Sequence, residues 1–170
     1  RSVDSRCDIR QAPGFFLILL STLLLLASAG VHAQTSWNWQ NPIPQGNDLF
    51  DIQALDAQTA VAVGAFGTVV RTSDGGVTWT VRNRIGNFVG ALRSLSAPTP
   101  SILFAVGDST AVFRSTDAGV TWARSSIGIT SLRLQSVFFR NPAKGWVVGD
   151  SGVIYATANG GQSWSRQLSS

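Results

Sequence analysis

The 170-residue chain contains no Glu and no Met, and only one Lys (Lys144), one Cys (Cys7), one His (His32) and one Tyr (Tyr155). Each scarcity removes a class of function. A lone Cys excludes an internal disulfide framework. One His and one Cys, both near the N-terminus, exclude a zinc site built on those ligands. Beyond His32 no nucleophile can be paired with a histidine base. From Gln34 onward, ten Arg and Lys face seven Asp, a net charge of +3. These cations form no cluster with interleaved aromatics, so no nucleic-acid partner is expected. Neither a metal, a cofactor nor a catalytic residue is expected.

The chain opens with Arg1, Arg6 and Arg10, followed by an apolar run from Phe15 to Ala29 and then Val31-His32-Ala33. A basic start, an apolar stretch of about 15 residues and a small-residue exit describe a secretory signal peptide. A spanning helix wants about 20 apolar residues, so residues 1–33 read as a cleaved leader rather than an anchor. The residues ahead of Phe15 read as an upstream read-through or a fragment edge. The expected location is exported: periplasmic, cell-surface or extracellular. Cleavage after Ala33 would remove both Cys7 and His32.

What the chain has in quantity is a repeat. Thr72-Ser73-Asp74-Gly75-Gly76-Val77-Thr78-Trp79 returns as Ser115-Thr116-Asp117-Ala118-Gly119-Val120-Thr121-Trp122 and as Thr157-Ala158-Asn159-Gly160-Gly161-Gln162-Ser163-Trp164. The tryptophans are 43 and then 42 residues apart, and Leu49, Leu92 and Leu134 keep the same spacing, as do Gly64, Gly107 and Gly149. A hydroxyl, an Asp or Asn and a Gly at these offsets make a hairpin turn, in which the Asx side chain takes backbone N–H groups and Gly supplies positive φ. Trp79, Trp122 and Trp164 fall on the return strand and carry a large apolar surface to bury. Short runs rich in branched residues that stop at glycine, such as Val61-Ala62-Val63-Gly64, are strands. A period of this length with four strands per unit describes propeller blades.

The predicted organisation is a lead-in over 34–48, then blades at about 49–91, 92–133 and 134–170. Closed rings of this kind have roughly four to eight blades. Three blades are therefore expected to be the N-terminal part of a longer protein, or an open array prone to self-association if the chain stops at Ser170.

The octets resemble Asp-box (BNR) repeats, which occur in sialidases, sortilin-type receptors and other propellers. With Ala62-Val63-Gly64-Ala65-Phe66-Gly67-Thr68 and Val147-Val148-Gly149-Asp150-Ser151-Gly152-Val153, the pattern is similar to that of the photosystem II stability/assembly factor family and its secreted bacterial relatives. The resemblance spans nearly all of Trp37 to Ser170. It implies an all-β propeller and an Arg-rich face that holds a membrane-protein partner. Asp74, Gly76, Trp79, Asp117, Gly119, Trp122, Asn159, Gly161 and Trp164 are then structural turn residues.

Two sharper uses compete. Sialidases pair a Tyr nucleophile with Glu, but Glu is missing here and Tyr155 repeats the strand position of Val70 and Phe113. Asp108 and Asp150 recur at one turn, which favours hairpins over an acid–base pair. A carbohydrate-active enzyme therefore needs catalytic residues outside this segment. The other use is a binding surface: Arg82, Arg84, Arg93, Arg124 and Arg133 occupy or border the inter-blade linkers, and Arg is favoured at interfaces. The expected function is a non-catalytic scaffold for a protein partner, acidic or membrane-associated. When the full chain is expressed in an exporting bacterium, intact mass should show a product beginning at Gln34. A product that retains residues 1–33 would contradict the leader reading.

Overall fold

The computed structural model describes residues 46–128 and 131–168. The predicted leader, and the lead-in as far as residue 45, lie outside the described residues. Twelve strands form three four-stranded sheets, each an antiparallel meander. The first holds β1 (Leu49–Ala54), β2 (Ala60–Gly64), β3 (Val69–Thr72) and β4 (Thr80–Arg82). The second holds β5 (Leu92–Ser96), β6 (Leu103–Gly107), β7 (Val112–Ser115) and β8 (Ala123–Ser125). The third holds β9 (Leu134–Phe139), β10 (Gly145–Gly149), β11 (Ile154–Thr157) and β12 (Ser165–Arg166). The expected all-β architecture of three four-stranded blades is the one the chain adopts. Among the described residues the helical content is three short 3-10 turns, and no helix is long and apolar enough to cross a membrane.

The first strands run side by side, β1 beside β5 and β5 beside β9, and the blades extend outward from them. No blade has a core of its own. A single four-stranded sheet has two faces and no interior, so its apolar residues must be buried against a neighbour. Val61, Val63 and Val69 of the first blade pack with Leu95, Leu103, Ala105 and Phe113 of the second. The other face of the second blade, Phe104, Val106 and Val112, packs with Val137, Phe139, Val147 and Tyr155 of the third. There Phe104 stacks on Phe139 with centroids 3.6 Å apart and planes 6° from parallel. Because the second blade is covered on both faces, every residue of β6 is buried, which explains its unbroken Leu-Phe-Ala-Val run. The third blade alternates instead. Phe138, Trp146, Val148 and Ile154 are exposed, and their cross-strand pairing puts them on one face.

Polar bonds fasten the same junctions. Asp51 Oδ2 accepts the N–H of Leu95 at 2.7 Å. Ser94 Oγ occupies the equivalent place one blade on and accepts from Val137 at 3.4 Å, while Ser96 Oγ accepts from Phe139 at 2.9 Å. Farther out along the blades, Arg71 Nε of β3 donates to Ala118 O at 2.9 Å, and Ser125 Oγ of β8 donates to Gly161 O at 2.6 Å. Side chains reaching across the gap thus accept from strand-edge N–H groups and donate to turn carbonyls that would otherwise lack a partner.

The repeat tryptophans differ from expectation in two respects. Each stands just before the fourth strand, which begins at Thr80, Ala123 or Ser165, and each is half-buried rather than enclosed. The turn is the reason: Trp122 folds back over it and donates Nε1–H to Gly119 O at 3.0 Å, while its ring lies against the core between the first two blades. Trp164 lies against the second core in the same way, but its buried Nε1 has no partner.

Gly119 shows how closely the blades approach. Its φ is +82°, and a Cβ there would stand 2.8 Å from Val61 Cγ2 of the preceding blade. Gly76, its counterpart with φ +90°, would meet nothing closer than Trp79 at 3.8 Å. Gly76→Ala should therefore cost only the left-handed strain, about 1–2 kcal/mol. Gly119→Ala should cost about 1–3 kcal/mol more through overpacking. Urea unfolding of both variants checks this, and equal losses would contradict the close inter-blade contact.

Candidate functional site

The octet turns are built by one hydrogen-bond set. In the first blade Thr72 Oγ1 donates to Asp74 Oδ1 at 2.8 Å and accepts from Gly76 N at 2.9 Å. Asp74 in turn accepts from Thr78 N at 2.9 Å and from Thr78 Oγ1 at 2.6 Å. Ser115, Asp117, Gly119 and Thr121 repeat the arrangement. In the third blade Thr157 donates to Asn159 Oδ1 at 3.0 Å, and Asn159 Oδ1 accepts from Ser163 N at 3.0 Å. The last bond reverses, since the Asn159 amide donates to Ser163 Oγ at 2.8 Å. The hydroxyl at that position can serve as donor or acceptor, so Asn and Asp both close the turn. Each turn is tied to the β1–β2 type turn of its own blade, through Gly75 N to Gln58 O, Ala118 N to Ser101 O and Gly160 N to Ala143 O. These carboxylates are therefore committed to turn geometry. Among the described residues no group of three or more His, Cys, Asp or Glu is placed to hold a metal ion.

The turns have an electrostatic signature. Donation from Thr78 Oγ1 and N, with Thr72 Oγ1, lowers the Asp74 carboxyl to about 2. At Asp117 partial desolvation pushes upward, but donation from Thr121 and Ser115 outweighs it and also brings the group to about 2. A carboxyl lowered in the fold contributes stability fully above its unfolded value, about 4, and loses it as pH falls to the folded value. Unfolding midpoints should therefore drop between about pH 4 and pH 2. The double variant Asp74→Asn, Asp117→Asn should show a shallower drop, because Asn159 already serves one blade without a titrating group. An unchanged slope in thermal melts across that window would contradict this account.

The five linker arginines do not form one cluster. Arg93 donates Nε–H to Asp108 Oδ1 at 2.8 Å, and Arg133 Nε stands 3.8 Å from the same oxygen. Asp108 also accepts from Ala91 N at 3.1 Å. Burial pushes its carboxyl up, and the bond from Arg93, helped by Ala91 N and the charge of Arg133, brings it below the ordinary value. Asp108 thus ties the second blade to the strand that opens the third. Asp150, one blade on, accepts instead from Gln135 Nε2 at 2.7 Å. Arg82 and Arg84 line a groove of about 450 Å³ between the first two blades, formed by Arg82–Gly86 with Thr121 and Trp122. Arg124 lies over the Phe88 ring, 5.8 Å from its centroid. Tyr155 is buried in the core between the second and third blades.

Within each blade the β2–β3 turn and the linker leave from the end opposite that blade's own octet turn. The first linker also meets Thr121 and Trp122 of the next blade's octet across the groove. Gly67 N donates to Gly90 O at 2.7 Å, Arg84 N to Phe66 O at 3.1 Å and Thr110 N to Leu132 O at 2.7 Å. At this end Phe66 is 56% exposed, Val89 63% and Phe50 47%. Arg93 lies over the Phe50 ring at 5.9 Å. Sequence reasoning passed over these three apolar residues. The signal available was Phe66 standing over Ser109 and Ser151 in the repeat alignment.

Comparison with known proteins agrees with this architecture. A family model described as photosynthesis system II assembly factor YCF48 matches residues 94–170. No curated protein matches the chain. The solved structure of YCF48 from Cyanidioschyzon merolae is 29% identical with a TM-score of 0.64, covering 74% of this chain and 41% of that one. A structure of YCF48 bound to D1 peptide is 22% identical with a TM-score of 0.65, covering 72% and 40% respectively. The GH74 enzyme of Niastella koreensis is 17% identical with a TM-score of 0.57, covering 71% and 22%. The chain therefore spans about two fifths of the YCF48 structures it matches. Its blades are BNR-type propeller blades, similar to those of YCF48, and the likeness to GH74 is one of fold.

Proposed function

We propose that this BNR-type propeller segment is an exported, non-catalytic scaffold that holds a protein partner, in the manner of a photosystem II assembly factor. The supporting likeness is to the YCF48 family, one member of which is bound to D1 peptide in its structure. The observation that carries the reading is the charge arrangement at the linker end. Arg93 and Arg133 share the single carboxylate of Asp108, and Arg84 borders the neighbouring groove. Two guanidinium groups on one carboxylate leave an excess of positive charge, and Arg forks suit bidentate contact with a partner's carboxylates. The octet turns offer no comparable site, because their acidic side chains are already filled by local donors.

The rival reading, a carbohydrate-active propeller, draws on the fold likeness to GH74 enzymes. It requires an acid and a base, and the described Asp residues at the recurring turn are held by Arg93 or Gln135. The scaffold reading uses groups the chain has. Export follows from the leader pattern of residues 1–33 and belongs to the same proposal.

Calorimetric titration of the full chain with the D1 peptide tests the reading. Binding should weaken about tenfold or more in the double variant Arg84→Gln, Arg133→Gln, and weaken with added salt. Unchanged affinity in that variant would sink the assignment of the partner to this face.

A further inference from the structure

The tip of the β2–β3 turn requires left-handed backbone in every blade. Ser109 has φ +52° and Ser151 φ +60° at this position, and Phe66 has φ +56°. Glycine, and Asn or Asp through a local side-chain hydrogen bond, enter this region most readily, while a bulky side chain there is an outlier. The second and third blades place serine at the tip, with the neighbouring Thr110 of the second also left-handed at φ +53° but buried; the first places an exposed phenyl ring there. The ring is 56% exposed, so burial in the fold does not offset the strain. An exposed, strained aromatic points to a contact outside the fold.

Its surroundings say what kind. Ala65 N donates to Asp48 O at 2.8 Å and Gly67 N to Gly90 O at 2.7 Å, which holds the turn between the starts of β1 and β5. Phe50 and Val89, both exposed, flank it on those two sides. Arg84 donates its N–H to Phe66 O, and Arg93 lies over Phe50. An exposed aromatic with arginines on the adjoining segments has the composition of an interface hot spot. The side chain of Arg93 is only 30% exposed and is held by Asp108. A projecting carboxylate reaches such a recessed group, whereas a flat headgroup plane does not.

We propose that Phe66, with Phe50, Val89, Arg84 and Arg93, forms a docking surface for a protein segment that carries an apolar side chain beside carboxylates. The inference rests on the scaffold reading and adds the residue that supplies the apolar anchor.

The experiment uses the full chain and three fluorescein-labelled ten-residue peptides read by anisotropy. One carries Leu and Phe among Glu residues, one replaces Leu and Phe with Ser, and one replaces Glu with Lys. The first should bind, with the other two about tenfold weaker or more. Phe66→Ser, which copies the sister blades, should weaken the first peptide about tenfold or more. It should leave the urea midpoint equal to or above that of the parent chain. The inference is overturned if the Leu/Phe/Glu peptide does not bind, or if Phe66→Ser keeps full affinity. A midpoint that falls along with affinity overturns it too, since Phe66 would then be structural. If Arg84→Gln weakens the peptide and Phe66→Ser does not, the scaffold reading survives without the anchor. If neither variant matters, both readings fall. Preference for phosphatidylglycerol vesicles over all three peptides would replace the protein partner with a lipid surface.

Discussion

Burial between sheets is the constraint on which this structure depends. A four-stranded sheet of two- to six-residue strands cannot enclose an apolar residue, so each blade completes its neighbour's core. The consequences appear at every level. β6 is apolar at successive positions because both its faces are covered, while β10 alternates because one of its faces is exposed. Gly119 is glycine both for its left-handed φ and because Val61 of the preceding blade leaves no room for a Cβ. Strand-edge N–H groups meet side chains from the blade before, as in Leu95 with Asp51 and Val137 with Ser94.

The same constraint divides labour between the two ends of the blades. At one end the octet turns spend their Asp, Asn, Thr and Ser side chains on backbone geometry, and the backbone carbonyls of Ala118 and Gly161 receive donors from the previous blade. That end is committed to assembly. At the other end the linkers cross from one blade to the next, and arginines with exposed apolar residues gather around them. Fixed strands below and variable turns above suit this end to recognition.

Much of the fold was legible because a strict period repeats the same local chemistry. The hydroxyl–Asx–Gly–Trp spacing identifies the turn, and the alignment of Leu49, Leu92 and Leu134 places the first strands. The half-buried tryptophans were less legible, since the Trp122 bond to Gly119 O depends on how the ring folds over its own turn. The donor reversal at Asn159 likewise appears only when the Ser163 hydroxyl is seen to accept. The linker arginines could be located but not grouped. Whether Arg93 meets Asp108, lies over Phe50 or joins Arg84 depends on contacts across blades, which no local pattern encodes. Phe66 was visible as a departure from serine in the alignment, but its significance needed the φ value and the exposure together.

The measurement that tests the account most directly is hydrogen exchange on the full chain, with and without a bound acidic peptide carrying apolar residues. The account predicts added protection at 65–67, 83–91 and 108–110, with the octet turns at 74–79 and 159–164 unchanged. Protection centred on the octet turns, with the linker end unaffected, would contradict the assignment of recognition to that end.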